Sequence, residues 1–165
     1  MLNEYVVGFM FNAHRNRVLL IKKTHPHYQA GFLNGIGGKI EATETPIQAM
    51  IREFKEEANL ETYELTWKQF CILTIPDHTR IYFFYSVYSQ FEHEQWDNNV
   101  SGFYYNKKEN KEVPVVFYMS RGERYPDLKL FPDLKWLLPL AIDCHNQEKD
   151  GIFYSMTRKD FNSLY

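Results

Sequence analysis

Between Thr45 and Asn59 the chain carries a helix that has to be laid against something. Thr45 suits the N-cap, Pro46 the first helical position, and Gln48 completes a capping box with Thr45, a device worth about 1 kcal/mol. Ile47, Met50, Ile51, Phe54 and Ala58 fall at i, i+3, i+4, i+7 and i+11, one apolar stripe of a helix running to about Ala58. Asn59 tolerates the left-handed conformation better than most residues and is the expected terminator. The stripe must face a sheet, and the flanking sequence supplies one. YVVGFMF and VLLIKK precede the helix; ELTWKQFCILTI, TRIYFFYSVYSQF and VPVVFYM follow it, all rich in β-branched and aromatic residues. The order β, β, helix, then several β predicts an α+β fold.

The polar link NAHRNR suits a hairpin between the first two strands. THPHYQAGFLN is turn-rich and enters GIGGKIE, a loop or bulged strand whose glycines allow a close backbone approach. FPDLKWLLPLAIDCHNQ reads as a second helix opening near Pro132, which Pro139 is expected to kink or interrupt. GIFYSMTRKDF adds a last strand or a short helix, and HEQWDNNVSG and NKKENKE are polar loops. With 165 residues and no internal repeat or boundary, a single domain over residues 1–165 is expected, burying roughly two-thirds of its unfolded surface. Aromatic residues make up 17%, more than a minimal core requires, so rings are expected at a binding surface as well.

A net charge of -2 gives no general attraction to nucleic acid or to an anionic membrane. Any phosphate binding must be local. Cys71 and Cys144 are far apart and form no CxxC pattern, which argues against a disulfide framework or a thiolate metal site and suits a reducing cytosol. The start, MLNEYVVGFMF, meets an acid at Glu4 and lacks a basic lead, and no apolar run reaches about 18 residues. A cytoplasmic protein without a membrane partner is expected.

The polar flank of the first helix is unusual. Glu53, Glu56 and Glu57 occupy neighbouring positions beside the apolar stripe. Glu53 and Glu57, at i and i+4, repel by a few tenths of a kcal/mol when solvated and by more when partly buried. Either the face simply meets solvent, or a cation reverses the sign. Hard divalent ions such as Mg²⁺ take oxygen ligands and bridge carboxylates to substrate phosphates.

Gly38, five residues, Glu44, seven residues, then Arg52-Glu53-Phe54-Lys55-Glu56-Glu57-Ala58-Asn59-Leu60 resembles the Nudix box, G-x5-E-x7-R-E-U-x-E-E-x-G-U. It departs at one fixed position, where Asn59 replaces the final glycine. The resemblance runs over residues 5–60, continues to about 105 and returns around 131–140. It implies an α/β/α sandwich around a mixed sheet, and hydrolysis of a nucleoside diphosphate linked to another moiety. It also implies that Glu53, Glu56 and Glu57, with the Gly38 carbonyl, hold Mg²⁺ or Mn²⁺. By the same resemblance Arg52 orients the glutamates and Glu44 supports the loop and helix; the glutamate that accepts the proton varies across the family, and Glu56 or Glu53 is favoured here.

FLNGIGGKIE resembles the WNGFGGK-type segment of the MutT-like oxidised purine nucleoside triphosphatases, in which the residue matching Asn34 bonds the purine. An amide offers a donor and an acceptor in one plane; alternatively Asn34 only forms a turn before Gly35. FPDLKWLLPLA aligns with the same group's Trp-Pro-Asp-Asp segment, which implies base stacking at Phe131 and base bonding at Asp133. Leu134 stands where the second acid is found. The other reading makes Phe131 a core ring and Pro132-Asp133 a helix start. Lys23 matches a phosphate-contacting residue, and Lys39 lies in the adjacent loop. Trp96 falls near a loop tryptophan of the group, and Glu92, Glu94 or Asp97 stands in for a further metal-binding glutamate.

These readings converge on a Mg²⁺-dependent pyrophosphohydrolase acting on a nucleotide, with dGTP or 8-oxo-dGTP as leading candidates. Rival substrates are ADP-ribose, dinucleoside polyphosphates and RNA 5′ caps. Pro76, sixteen residues past the box, is shared by ADP-ribose pyrophosphatases and MutT-like chains and does not separate them. Capped RNA is disfavoured by the acidity. A catalytically silent nucleotide-sensing domain is the rival of another class, opposed by the complete set Arg52, Glu53, Glu56 and Glu57. Monomer and homodimer both remain open.

Overall fold

A computed structural model describes residues 2–89, 113–119, 129–147 and 154–157. The elements are β1 (Asn3–Phe11), β2 (Arg17–Lys22), β3 (Phe32–Asn34), α1 (Pro46–Ala58), β4 (Lys68–Ile75), β5 (Thr79–Val87), β6 (Val113–Tyr118), β7 (Lys129–Leu130), α2 (Leu134–Asn146) and β8 (Tyr154–Thr157). The strands form one mixed sheet in the order β7-β3-β2-β1-β5-β4-β8, with β6 paired to β2. Side-chain alternation divides β1, β2 and β5 between two cores. Phe9, Phe11, Val18, Leu20, Phe83 and Tyr85 face Leu134, Leu137, Leu138 and Ala141 of α2. Val6, Met10, Leu19, Ile21 and Phe84 face Ala49, Met50, Phe54 and Ala58 of α1. This is the expected α+β sandwich, a mixed sheet between two helices. A register shift between Gln69 and Cys71 lets the consecutive residues Phe70 and Cys71 both enter the α2 core. No helix among the described residues is long and apolar enough to cross a membrane.

The first two strands meet less than a simple hairpin would. Only Met10 with Leu19 and Phe11 with Val18 are paired. Beyond them β1 and β2 diverge, because β1 runs parallel to β5 along its whole length while β2 follows β6. The segment 32–40 fills the resulting fork. β3 pairs with β2 through Ile21 and Asn34, and the chain then crosses to β1 through the Gly8–Ile36 and Tyr5–Lys39 bridges. That crossing sets Gly37 and Gly38 beside α1.

The capping box at Thr45 and Gln48 is formed in both directions, and Asn59 ends α1 with φ 53° and ψ 38°, in the left-handed region that the missing glycine would have occupied. Two expectations need correction. Residues 64–66, assigned from sequence to the strand, form a single 3₁₀ turn before β4 begins at Lys68. α2 also runs through Pro139 without interruption. Pro139 and Lys135, whose carbonyl loses its helical partner, both lie on the exposed side, where water satisfies that carbonyl. The segment around 154–157 is a strand, parallel to β4.

Candidate functional site

Arg52 organises the acidic flank of α1. Its Nε donates to Glu44 Oε1 at 2.6 Å and one terminal nitrogen to Glu44 Oε2 at 2.9 Å, a two-pronged pairing. That same nitrogen reaches the Lys39 carbonyl at 3.1 Å. The other terminal nitrogen donates to Glu53 Oε1 at 2.7 Å and Glu56 Oε2 at 3.3 Å. Helical spacing makes this geometry available, since Arg52 and Glu56 are one turn apart. The Glu41 amide completes the array by donating to Glu44 at 3.1 Å. Glu41 takes part through its backbone, which no side-chain pattern in the sequence signals.

The hydrogen bonds from Arg52 hold the Glu44 carboxyl below the usual glutamate range; burial opposes this, while the Glu41 amide and the Arg52 charge reinforce it. A folded pKa below the unfolded value near 4.3 means that stabilisation is present above that pH and lost as pH falls through the folded pKa. Glu44→Gln is therefore expected to lower the melting temperature at neutral pH and flatten the acid limb of a stability–pH profile. The two profiles should converge at low pH. A constant separation from pH 7 down to pH 3 would contradict the assignment.

Glu53 lies against the glycine loop. A Cβ at Gly38 would come within 2.5–2.7 Å of its carboxylate atoms, so a larger residue there would displace the Glu53 carboxylate from its place beside Arg52. Gly37 has φ +154°, and a Cβ there would strike the Val6 carbonyl. The Gly38 carbonyl accepts from the Val6 amide at 2.9 Å, which occupies one of its two lone pairs. Glu57 accepts from the Gly37 amide at 3.0 Å and lies 3.8 Å from Lys23 Nζ. Lys23 in turn is fixed to the next strand, its amide donating to the Phe32 carbonyl at 2.9 Å.

Glu53 and Glu56 thus share the Arg52 guanidinium, while Glu57 is turned onto the Gly37 amide and Lys23. Among the described residues, no three His, Cys, Asp or Glu side chains stand arranged as a metal-holding set. The donor chemistry nevertheless fits a hard divalent cation: carboxylates and backbone carbonyls, with no thiolate or imidazole. Glu44, Glu53, Glu56 and Glu57 carry four negative charges, Arg52 and Lys23 two positive, which leaves a surplus of two negative charges in this bonded set. Glu56, with 59% of its side chain exposed, is the most accessible of the carboxylates paired with Arg52.

A second group of residues gathers at the other side of the fork. β7 pairs with β3 in parallel, and the Phe131 amide donates to the Leu33 carbonyl at 2.9 Å. Phe131 meets Phe32 edge to face at 6.1 Å between ring centres and also packs against the α2 core, so it is partly a core ring. Asp133 stands at the N-cap of α2, but its side chain makes no capping hydrogen bond. Leu134 is 1% exposed and belongs to the core. The Asn34 Oδ1 accepts from the Gly35 amide at 2.8 Å, as the turn reading requires, while its Nδ2 donates to Gln29 at 3.3 Å. Gln29 was not singled out from sequence; its position in a turn five residues before Asn34 was the available signal. Lys39 presents an exposed side chain, and its carbonyl is what joins the Arg52 array. Glu92, Glu94, Trp96 and Asp97 lie outside the described residues.

A family model described as the NUDIX domain matches residues 1–128. The chain is 32% identical to an 8-oxo-dGTP diphosphatase of Proteus vulgaris over 78 residues, which cover 47% of this chain and 69% of that protein. A mutT/nudix family protein from Listeria innocua superposes with a TM-score of 0.60 at 18% identity, covering 88% of this chain and 95% of that one. A MutT described from Aliivibrio salmonicida and Vibrio cholerae gives 0.56 at 17% identity, with 86% and 96% covered. At those identities the structural likeness concerns the fold.

Proposed function

We propose a reaction for this chain on one premise, that it belongs to the Nudix family and is a hydrolase of the MutT type. The reaction is hydrolysis of a purine nucleoside triphosphate, dGTP or 8-oxo-dGTP, to the monophosphate and pyrophosphate. The observation that carries this reading is the Arg52-centred carboxylate array packed against the Gly37–Gly38 loop, with Asn34 on β3 and, after the paired β7, Phe131 and the α2 N-cap Asp133. The name of the Proteus vulgaris relative supports the choice of nucleotide. Leu134, buried where a second acid would stand, leaves Asp133 as the carboxylate of that segment among the described residues.

Glu53, Glu56 and Glu57, with the Gly38 carbonyl, would hold Mg²⁺ or Mn²⁺. When bound, the ion supplies neutralisation of phosphate charge and a more acidic attacking water. The protein's own groups do the positioning. Arg52 restrains Glu53 and Glu56, and Glu44 restrains Arg52. Lys23 and Lys39 add point charge for the polyphosphate. Water attacks phosphorus, the phosphoanhydride bond breaks toward pyrophosphate, and Glu56 or Glu53 takes the water's proton. Phe131 stacks on the base; Asn34 and Asp133 bond its edge.

A panel of nucleotides with Mg²⁺, its products separated by chromatography, tests the reading. Pyrophosphate and a purine monophosphate are expected. AMP with ribose phosphate, or a released cap nucleotide, would replace the substrate assignment, and tight binding without turnover would make the domain a sensor. In the same panel Asn34→Ala should reduce kcat/KM for purines about tenfold, with little effect on pyrimidines, from the loss of two hydrogen bonds to the base. Equal losses for both classes would remove Asn34 from base recognition.

A further inference from the structure

We propose that Gln29 is a positioning residue for base recognition, steadying the Asn34 amide in the orientation that the Gly35 amide selects. The inference rests on the reading of Asn34 as a base contact. Gln29 is itself pinned in the turn before β3: its amide donates to the Pro26 carbonyl at 2.8 Å and its carbonyl accepts from the Phe32 amide at 3.0 Å. Its side chain faces both ways along the turn. Oε1 accepts from Asn34 Nδ2 at 3.3 Å, and Nε2 donates to the Tyr28 hydroxyl at 3.2 Å. Tyr28 is 60% exposed, so this short chain of hydrogen bonds runs from solvent to the candidate base contact.

The consequence lies in the symmetry of an amide. Asn34 Oδ1 accepts from the Gly35 amide at 2.8 Å while its Nδ2 faces the Gln29 oxygen. Half a turn about the last side-chain bond would set N–H against N–H at Gly35, which can only donate; the Gln29 amide, whose other partner is a hydroxyl able to donate or accept, could turn with it. The Gly35 bond therefore selects the orientation, and the Gln29 bond adds a second point of restraint on the amide plane. One Nδ2 hydrogen and one Oδ1 lone pair remain for a ligand, in an order set by that selection. Guanine presents an acceptor at position 6 and a donor at position 1, and adenine presents the reverse. An amide free to flip accepts either order; a locked one separates them. The Gly35 bond alone is a contact between adjacent residues, which makes Gln29 the part of the lock that comes from elsewhere in the chain.

The test compares kcat/KM for dGTP and dATP in wild type, Asn34→Ala, Gln29→Leu and Gln29→Glu, with melting temperatures for each. Gln29→Leu removes the acceptor and should lower the ratio between the two substrates about fivefold, the weight of one hydrogen bond, through KM and with kcat on the preferred base within about twofold. Gln29→Glu keeps an acceptor toward Nδ2 and should retain the ratio. A wild-type ratio in Gln29→Leu, or an equal fall in Gln29→Glu, overturns the role of Gln29 and leaves the Asn34 reading intact. An Asn34→Ala protein with the wild-type ratio overturns both. Since Gln29 lies in a half-exposed turn, all variants should melt close to wild type, and a loss of ratio accompanied by a large fall in melting temperature would assign Gln29 a structural role instead.

Discussion

Glu57→Gln should lower kcat by about a hundredfold or more and leave the melting temperature within a few degrees of wild type. The substitution separates two properties of one side chain. A glutamine oxygen can still accept from the Gly37 amide, so the loop keeps its contact with α1. What disappears is a negative charge beside the glycine loop, within 3.8 Å of Lys23. If that charge serves a cation, turnover falls steeply; if Glu57 only fastens the loop, turnover survives. Steady-state rates at saturating Mg²⁺, with a thermal melt on the same sample, distinguish the two. Near-wild-type turnover would remove Glu57 from the metal site.

Arg52→Ala should be the most damaging single change to stability on this face. Five hydrogen bonds end at one guanidinium, and its loss strands Glu44 and Glu53, whose side chains are only 15% and 13% exposed. Breaking a fully buried pair from one side costs about 3–5 kcal/mol; with about a quarter of Arg52 still in contact with water, about 2–3 kcal/mol is expected. For a chain of this size that is a fall of roughly 5–10 °C in melting temperature. Activity should fall as well, because Glu53 and Glu56 lose their common restraint. Arg52→Lys keeps the charge but cannot reproduce the fork, and should lie between wild type and Arg52→Ala in both measurements. An Arg52→Ala protein that melts with wild type would show the array to be a solvated surface pairing.

Much of this was legible in the sequence because it depends on local spacing. The capping box, the stripe of α1 and the tolerance of Asn59 for positive φ all follow from residues within one or two turns. The fork between β1 and β2 was not legible: it arises from the longer pairings of β1 with β5 and of β2 with β6, which a hairpin pattern does not encode. The meeting of Phe131 with Phe32 has the same origin, since β3 and β7 pair across about a hundred residues of chain. The continuity of α2 through Pro139 depended on which side of the helix met water. Gln29 escaped notice because no spacing rule links a turn glutamine to a strand asparagine.

The proposed reaction requires the acidic face of α1 and the Gly37–Gly38 loop to form a divalent-cation site together. Direct titration of Mn²⁺ into the protein, followed by the loss of the free-ion electron paramagnetic resonance signal, tests it without reference to substrate. Wild type is expected to take up Mn²⁺, with Mg²⁺ competing, and Glu53→Gln and Glu57→Gln each to weaken uptake about tenfold or more while remaining folded. Uptake by both variants equal to that of wild type would contradict the claim.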